Sequence, residues 1–253
     1  ASGKTLNIIL FLLISIMKRI YINNKLEKNL IHQLDYEQFI HLSKVVRLKV
    51  KDELLLFNNL DGEWLAVIEK IGKTQIEVKC VSKFSEPKSV PNIDLLFSPI
   101  KYQSSETIIR QGTEIGIRKF YPTVFSRTVA DKINMKKFNT YALSASQQSG
   151  RTQIPEINEI SKIEYQKDIL NNKNILMFDE NLEGKELGKI SINLNQDILI
   201  IIGPEGGFSD KERMFISSFS KSFHNLKIGS RILKADTAVV SALSLVFHYF
   251  DRD

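Results

Sequence analysis

Ile198-Leu199-Ile200-Ile201-Ile202-Gly203-Pro204-Glu205-Gly206-Gly207-Phe208-Ser209 is the stretch on which the fold turns. Five aliphatic residues in a row predict a strand covered on both faces, as in a parallel sheet flanked by helices. The loop after it holds three glycines and a proline within five residues. Such a backbone turns sharply and can come close to a ligand. Ser209 with Glu212 matches a capping box and predicts a helix start. Strand, glycine loop and helix in that order put the loop at a strand C-terminus, where open α/β sheets bind ligands. On this loop alone, a tight turn without a ligand reads equally well.

A second loop of the same kind is Ile228-Gly229-Ser230-Arg231-Ile232-Leu233-Lys234-Ala235-Asp236-Thr237-Ala238, between a short apolar run and a strongly apolar helix. Two such loops close together are far more specific than one. Outward from them, strand and helix alternate, which argues for a parallel α/β sheet. Strands are expected at 93–97, 120–125 and 175–178, and helices at 104–116, 132–149 and 236–249. The last helix carries Val239, Val240, Leu243, Val246, Phe247 and Phe250, a face broad enough for either a dimer contact or a buried core.

Residues 17–84 read differently. An opening strand at 18–22 precedes a short helix capped by Asp35 and carrying Phe39, Leu42, Val45 and Val46. The turn cluster Asn58-Asn59-Leu60-Asp61-Gly62 separates two strands, and Ile76, Val78 and Cys80 alternate with Glu77 and Lys79, as one buried face requires. Short strands and turns predict a small barrel. Ser85-Glu86-Pro87-Lys88-Ser89-Val90-Pro91 is the clearest linker.

The chain has 253 residues, enough for one large or two small domains, and a net charge of +6. Residues 101–137 hold eight basic groups against three acidic ones. A basic surface attracts polyanions in a salt-sensitive way, although a solvated lysine-rich face has the same composition. Cys80 is the single cysteine, so no internal disulfide forms, and with four scattered histidines no metal cluster is expected. A reducing, cytoplasmic compartment follows as an expectation. The apolar run 6–16 is too short to span a bilayer and lacks a small-residue cleavage site. Gly3-Lys4-Thr5 imitates the end of a P-loop without its upstream glycine or strand.

The forms GPEGGFS and GSRILKADTA resemble the RsmE family of ribosomal-RNA uridine-N3 methyltransferases in the SPOUT superfamily. Similar to the same family are Val45-Val46-Arg47, Thr113-Glu114-Ile115-Gly116-Ile117, Gln148-Ser149-Gly150-Arg151 and Ile154-Pro155-Glu156. The order and spacing fit from Met17 to about Phe250, so residues 1–16 read as a non-native or mis-started extension. The resemblance implies a PUA-like β-barrel RNA-binding domain at 17–86 and, at 90–253, an α/β SPOUT methyltransferase domain whose parallel sheet is tied in a trefoil knot.

The resemblance also implies S-adenosylmethionine as cofactor, held largely by backbone groups of three loops. The residues this assigns are Met177 and Phe178, then Ile202, Gly203, Pro204, Glu205, Gly206 and Gly207, then Ile228, Gly229, Ile232, Leu233 and Thr237. Arg231 is the candidate for stabilising a uracil anion or steering the RNA, and Glu205 the candidate carboxylate, a loop acid fixing its own backbone being the alternative role. RNA contacts fall to Arg47, Lys101, Arg127 and Arg151. The implied partners are 16S ribosomal RNA or the assembled small subunit and a second copy of the chain, with no membrane and no metal. Gln111, Gln147 and Gln153 stand where the family commonly has charge, while Lys234 and Asp236 keep the charge of the arginine and glutamate they replace. A non-catalytic RNA-binding assembly factor, or a SPOUT enzyme acting on another RNA, are the competing readings.

Overall fold

A computed structural model describes residues 17–100, 102–171, 173–179, 184–190 and 196–250; the extension at 1–16 and Lys101 lie outside the described residues. The described residues divide into two compact units, 17–89 with 147–153, and 90–146 with 154–250. Segment 147–153 joins the first unit through polar ties that the linear sequence does not advertise. Arg19 donates to the carbonyls of Gln147 (2.9 Å) and Arg151 (3.2 Å), and the Tyr21 N–H donates to Gln147 Oε1 at 3.2 Å.

The first unit comprises β1 (Arg19–Tyr21), β2 (Ile31–Leu34), α1 (Tyr36–Ile40), a π-helical turn (His41–Val46), β3 (Glu53–Asn58), β4 (Gly62–Ile71) and β5 (Ile76–Ser85). The five strands form one sheet in the order β1-β3-β4-β5-β2, a half-barrel whose hydrogen-bonded path does not close. Register shifts along β4 and β5 bend it. Leu54, Leu56, Ala66, Ile68, Ile76, Val78 and Cys80 form its core with Phe39 and Leu42. Asp35 caps α1 in a box with Gln38. The expected helix carries Phe39 and Leu42 inward, but widening to π geometry turns Val45 outward, 67% exposed. Arg47 closes that turn at φ 63°, a left-handed conformation unusual outside glycine.

The second unit contains β6 (Ile93–Phe97), α2 (Tyr102–Ile115), β7 (Lys119–Val124), α3 (Met135–Ser149) up to Ser146, β8 (Glu156–Ile157), β9 (Ser161–Lys162), α4 (Lys167–Leu170), β10 (Asn174–Phe178), β11 (Ile198–Ile202), α5 (Asp210–Phe219), β12 (Ser222–Leu226) and α6 (Ala235–Phe250). Its parallel strands run β12-β10-β11-β6-β7-β8, with β9 also on β7. Phe97, Ile202, Phe178 and Leu226 are in register, so four strands end level and their loops emerge together.

Period-two alternation builds two apolar layers. Leu95, Phe97, Leu176, Phe178, Ile200 and Ile202 face one side, where α6 packs; Leu96, Ile175, Met177, Leu199 and Ile201 face the other with Phe208 and Ile216. The broad apolar face of α6 is spent inside this unit: Val239, Ala242, Leu243 and Val246 are fully buried, against α2 and β11. The helix expected from 132 starts at Met135, because Asn134 Oδ1 accepts the Lys137 N–H (3.1 Å) in the manner of a cap. The helix expected from 104 starts at Tyr102.

At the opposite end of the sheet, fully buried Asp94 receives Arg118 on both oxygens (2.9 Å each) and Lys173 at 2.6 Å.

Candidate functional site

The C-terminal ends of β10, β11 and β12 and the start of α6 enclose a cavity of about 320 Å³. Phe178 reaches it from β10. Ile202, Gly203, Pro204 and Glu205 line it from the first loop, and Ile228, Arg231, Ile232 and Leu233 from the second. Asp179, Lys234, Ala235 and Ala238 complete the wall and were missed by the sequence reading. An acid directly after a strand end was the available signal for Asp179.

The alternation that brings Phe178 to the cavity turns Met177 away, 1% exposed in the opposite apolar layer. Gly206, Gly207, Gly229 and Thr237 are likewise not in the lining. Thr237 is exposed, and its N–H donates to Asp236 Oδ1 at 2.8 Å.

The glycines of the first loop have reasons inside the protein. A Cβ on Gly203 would lie 2.7 Å from two ring atoms of Phe208, which packs beneath the loop. Gly207 sits at φ +73° and closes a turn by donating to the Pro204 carbonyl at 2.8 Å. At Gly206 a Cβ would meet the Arg127 chain at 3.2 Å. Gly229, by contrast, faces open space.

Loop 125–128, which leaves β7, supports this turn. Phe125 meets Phe208 edge to face (5.3 Å), the Ser126 N–H donates to Glu212 Oε1 (2.6 Å), and Arg127 Nη1 donates to the Gly206 carbonyl (2.6 Å). Glu212 Oε2 accepts the Ser209 N–H (2.7 Å) and hydroxyl (2.8 Å), closing the capping box. Burial alone would raise the Glu212 carboxyl; the hydrogen bonds from Ser126 and Ser209 outweigh it and hold it below the ordinary glutamate value.

The cavity mixes apolar walls with four charges. Asp179 has a buried carboxylate neutralised by Arg213, Nε to Oδ2 at 2.6 Å and Nη2 to Oδ1 at 3.2 Å. Glu205, Arg231 and Lys234 are exposed, and among the described residues Arg231 makes no ion pair. An arginine so placed can meet developing negative charge without first giving up a partner.

The basic residues sort less uniformly than composition implied. Arg47 is exposed in the first unit and Arg127 is exposed beside the glycine loop. Arg151 is corrected: it is 8% exposed, its Nε donates to the Gln153 carbonyl, and burial lowers its pKa to about 10, so its side chain is not displayed for RNA. Within 101–137, Arg110, Arg118 and Lys119 are taken up in ion pairs with Glu114, Asp94 and Glu156. Gln147 uses its amide oxygen as an acceptor, a role that does not need the charge it lacks. Among the described residues no cluster of three His, Cys, Asp or Glu could hold a metal, and no helix is long and apolar enough to cross a membrane.

Two family models match this chain, an RNA methyltransferase domain over residues 86–247 and an RNA methyltransferase PUA domain over 34–80. A ribosomal RNA small subunit methyltransferase E from Rickettsia conorii is 35% identical over 90% of this chain and 94% of its own. One from Mesomycoplasma hyopneumoniae is 31% identical over 90% and 98%. In structure, Lpg2936 from Legionella pneumophila, solved with its bound cofactor SAM, superposes with a TM-score of 0.81 at 25% identity, covering 92% of this chain and 98% of that one. A ribosomal RNA small subunit methyltransferase E from Neisseria gonorrhoeae bound to S-adenosyl methionine gives 0.82 at 21% identity over the same shares. These likenesses show the SPOUT type of α/β domain preceded by a PUA-like module.

Proposed function

Because the chain belongs to the ribosomal RNA small subunit methyltransferase E family, we propose that it transfers a methyl group from S-adenosylmethionine to N3 of one uridine in 16S ribosomal RNA. The observation that carries this reading is the convergence of both glycine-bearing loops on one cavity at the level strand ends. Its volume, about 320 Å³, falls in the range of small-molecule sites.

The residues present fit S-adenosylmethionine. Ile202, Ile228, Ile232 and Leu233 offer apolar surface to a purine, Glu205 places a carboxylate near a cation, and Lys234 offers a donor to a carboxylate. When bound, the cofactor supplies an electrophilic methyl group on a sulfonium. The chain must then orient a splayed uracil and deal with its N3 proton, which remains bound at neutral pH. No histidine lies in the lining. Arg231 stabilises the uracil anion by charge and hydrogen bonding, so the proton is released at less cost. Glu205 is the carboxylate at hand to receive it. Arg47 and Arg127 contact the RNA backbone, and action in the cytoplasm as a homodimer belongs to the same reading.

Labelled S-adenosylmethionine and purified small subunits test it. Arg231→Ala should slow methyl transfer at saturating cofactor by about 100-fold, the scale of one lost transition-state donor, while changing cofactor affinity far less. Equal losses in both would move Arg231 from the chemistry to cofactor binding.

A further inference from the structure

We infer that Arg127 is a positioning residue for the cofactor loop, holding Gly206 and the turn around it in the shape that shapes the cavity wall; this rests on the cofactor reading above. Arg127 and Gly206 are 79 residues apart in sequence, yet Nη1 donates to the Gly206 carbonyl at 2.6 Å. The contact is more than one bond. The aliphatic part of Arg127 lies over Gly206 so closely that a Cβ there would fall 3.2 Å from its Cβ and 3.3 Å from its Cδ. Residue 206 is a glycine to admit this side chain, since no positive φ demands one there.

Loop 125–128 is itself anchored to the sheet, as a support must be. Thr128 Oγ1 accepts the Phe125 N–H (2.8 Å) and lies 2.8 Å from Ser98 Oγ, while the Ser98 N–H donates to the carbonyl of Ile202 (3.1 Å), the residue before Gly203. With Phe125 on Phe208 and Ser126 on Glu212, three consecutive residues grip the glycine loop and the first turn of α5 behind it. Pro204 and Glu205 of that turn line the cavity, and Gly206 follows them directly. Arg127 shapes the cavity from behind, through the turn, without lining it.

The test uses the full chain, with Arg127→Ala, Arg127→Lys, Gly206→Ala and the double variant Arg127→Ala/Gly206→Ala. Calorimetry with S-adenosylmethionine should show about tenfold weaker binding for R127A, the scale of a lost charged hydrogen bond, and most of it regained in R127K, which keeps one donor and a long chain. G206A should weaken binding with Arg127 present and cost less in the R127A background, where the Cδ contact at 3.3 Å is gone and only the Cβ contact at 3.2 Å remains, so the losses will not multiply. In the absence of cofactor, amide exchange at Gly207 should quicken in R127A while thermal unfolding confirms an intact fold. Wild-type affinity in R127A, or losses that multiply in the double variant, overturns the inference. If the wild-type chain binds no S-adenosylmethionine, the cofactor reading fails on its own, and unchanged amide exchange in R127A then rejects the positioning role separately.

Discussion

Gly203→Ala adds a single methyl group at the most constrained point of the site. Its Cβ would lie 2.7 Å from two ring atoms of Phe208 and 3.0 Å from a third. Carbon atoms in contact prefer about 3.5–4.0 Å, so the ring must retreat by about 1 Å. Retreat is obstructed, because Phe208 is 1% exposed and its ring meets Phe125 edge to face at 5.3 Å. Overpacking of this kind costs about 1–3 kcal/mol, and disturbing the aromatic pair adds about 0.5–1.5 kcal/mol. We expect a loss of about 2 kcal/mol in chemical denaturation, together with weaker S-adenosylmethionine binding, since Gly203 lines the cavity. Phe208→Leu in the same chain makes room for the methyl, so the double variant should lose about 1 kcal/mol less than the sum of the singles. Gly203→Ala with unchanged stability, or a strictly additive double variant, would refute the claim that the Phe208 ring dictates this glycine.

Asp94→Ala leaves Arg118 and Lys173 without their buried carboxylate, and should cost about 3–5 kcal/mol in urea unfolding without altering cofactor affinity, as it sits at the far end of the strands. Glu212 titrates below the ordinary glutamate value, so its contribution to stability is complete above the unfolded-state pKa and is lost as pH falls through the lower folded-state value. Glu212→Gln should flatten that acidic limb of the stability–pH curve, and an unchanged limb would show that the Ser126 and Ser209 contacts do not hold the charge. Arg47→Ala should lower the salt dependence of RNA binding by about one counterion; an identical slope would leave Arg47 a solvated surface charge.

What the sequence displayed were features that local chemistry writes into neighbouring residues. The all-aliphatic strand Ile198–Ile202, the helix cap at Asp35, the capping box at Ser209, and the turn after Asn58 all appear where the pattern placed them. The glycine loop was visible, but the reason for each glycine was not. Those reasons are contacts with Phe208 and with Arg127, the latter from a loop far away in sequence. Met177 was grouped with Phe178 because they are adjacent, whereas a strand sends neighbours to opposite faces. Arg151 read as a surface charge, since nothing local announces that its guanidinium is buried. The short pairings Glu156–Ile157 and Ser161–Lys162 left no period to detect, and Ser222–Leu226 has too few apolar residues to read as a strand.

The most direct measurement of the central claim is mass spectrometry of digested ribosomal RNA after incubation of unmethylated small subunits with the purified protein and isotopically labelled S-adenosylmethionine. The account predicts one labelled methyl group per subunit, on N3 of a single uridine, appearing about 100-fold more slowly at saturating cofactor in Arg231→Ala. A methyl on ribose or on another base would contradict the assigned chemistry, and a folded protein that binds S-adenosylmethionine yet labels no RNA would contradict the account as a whole.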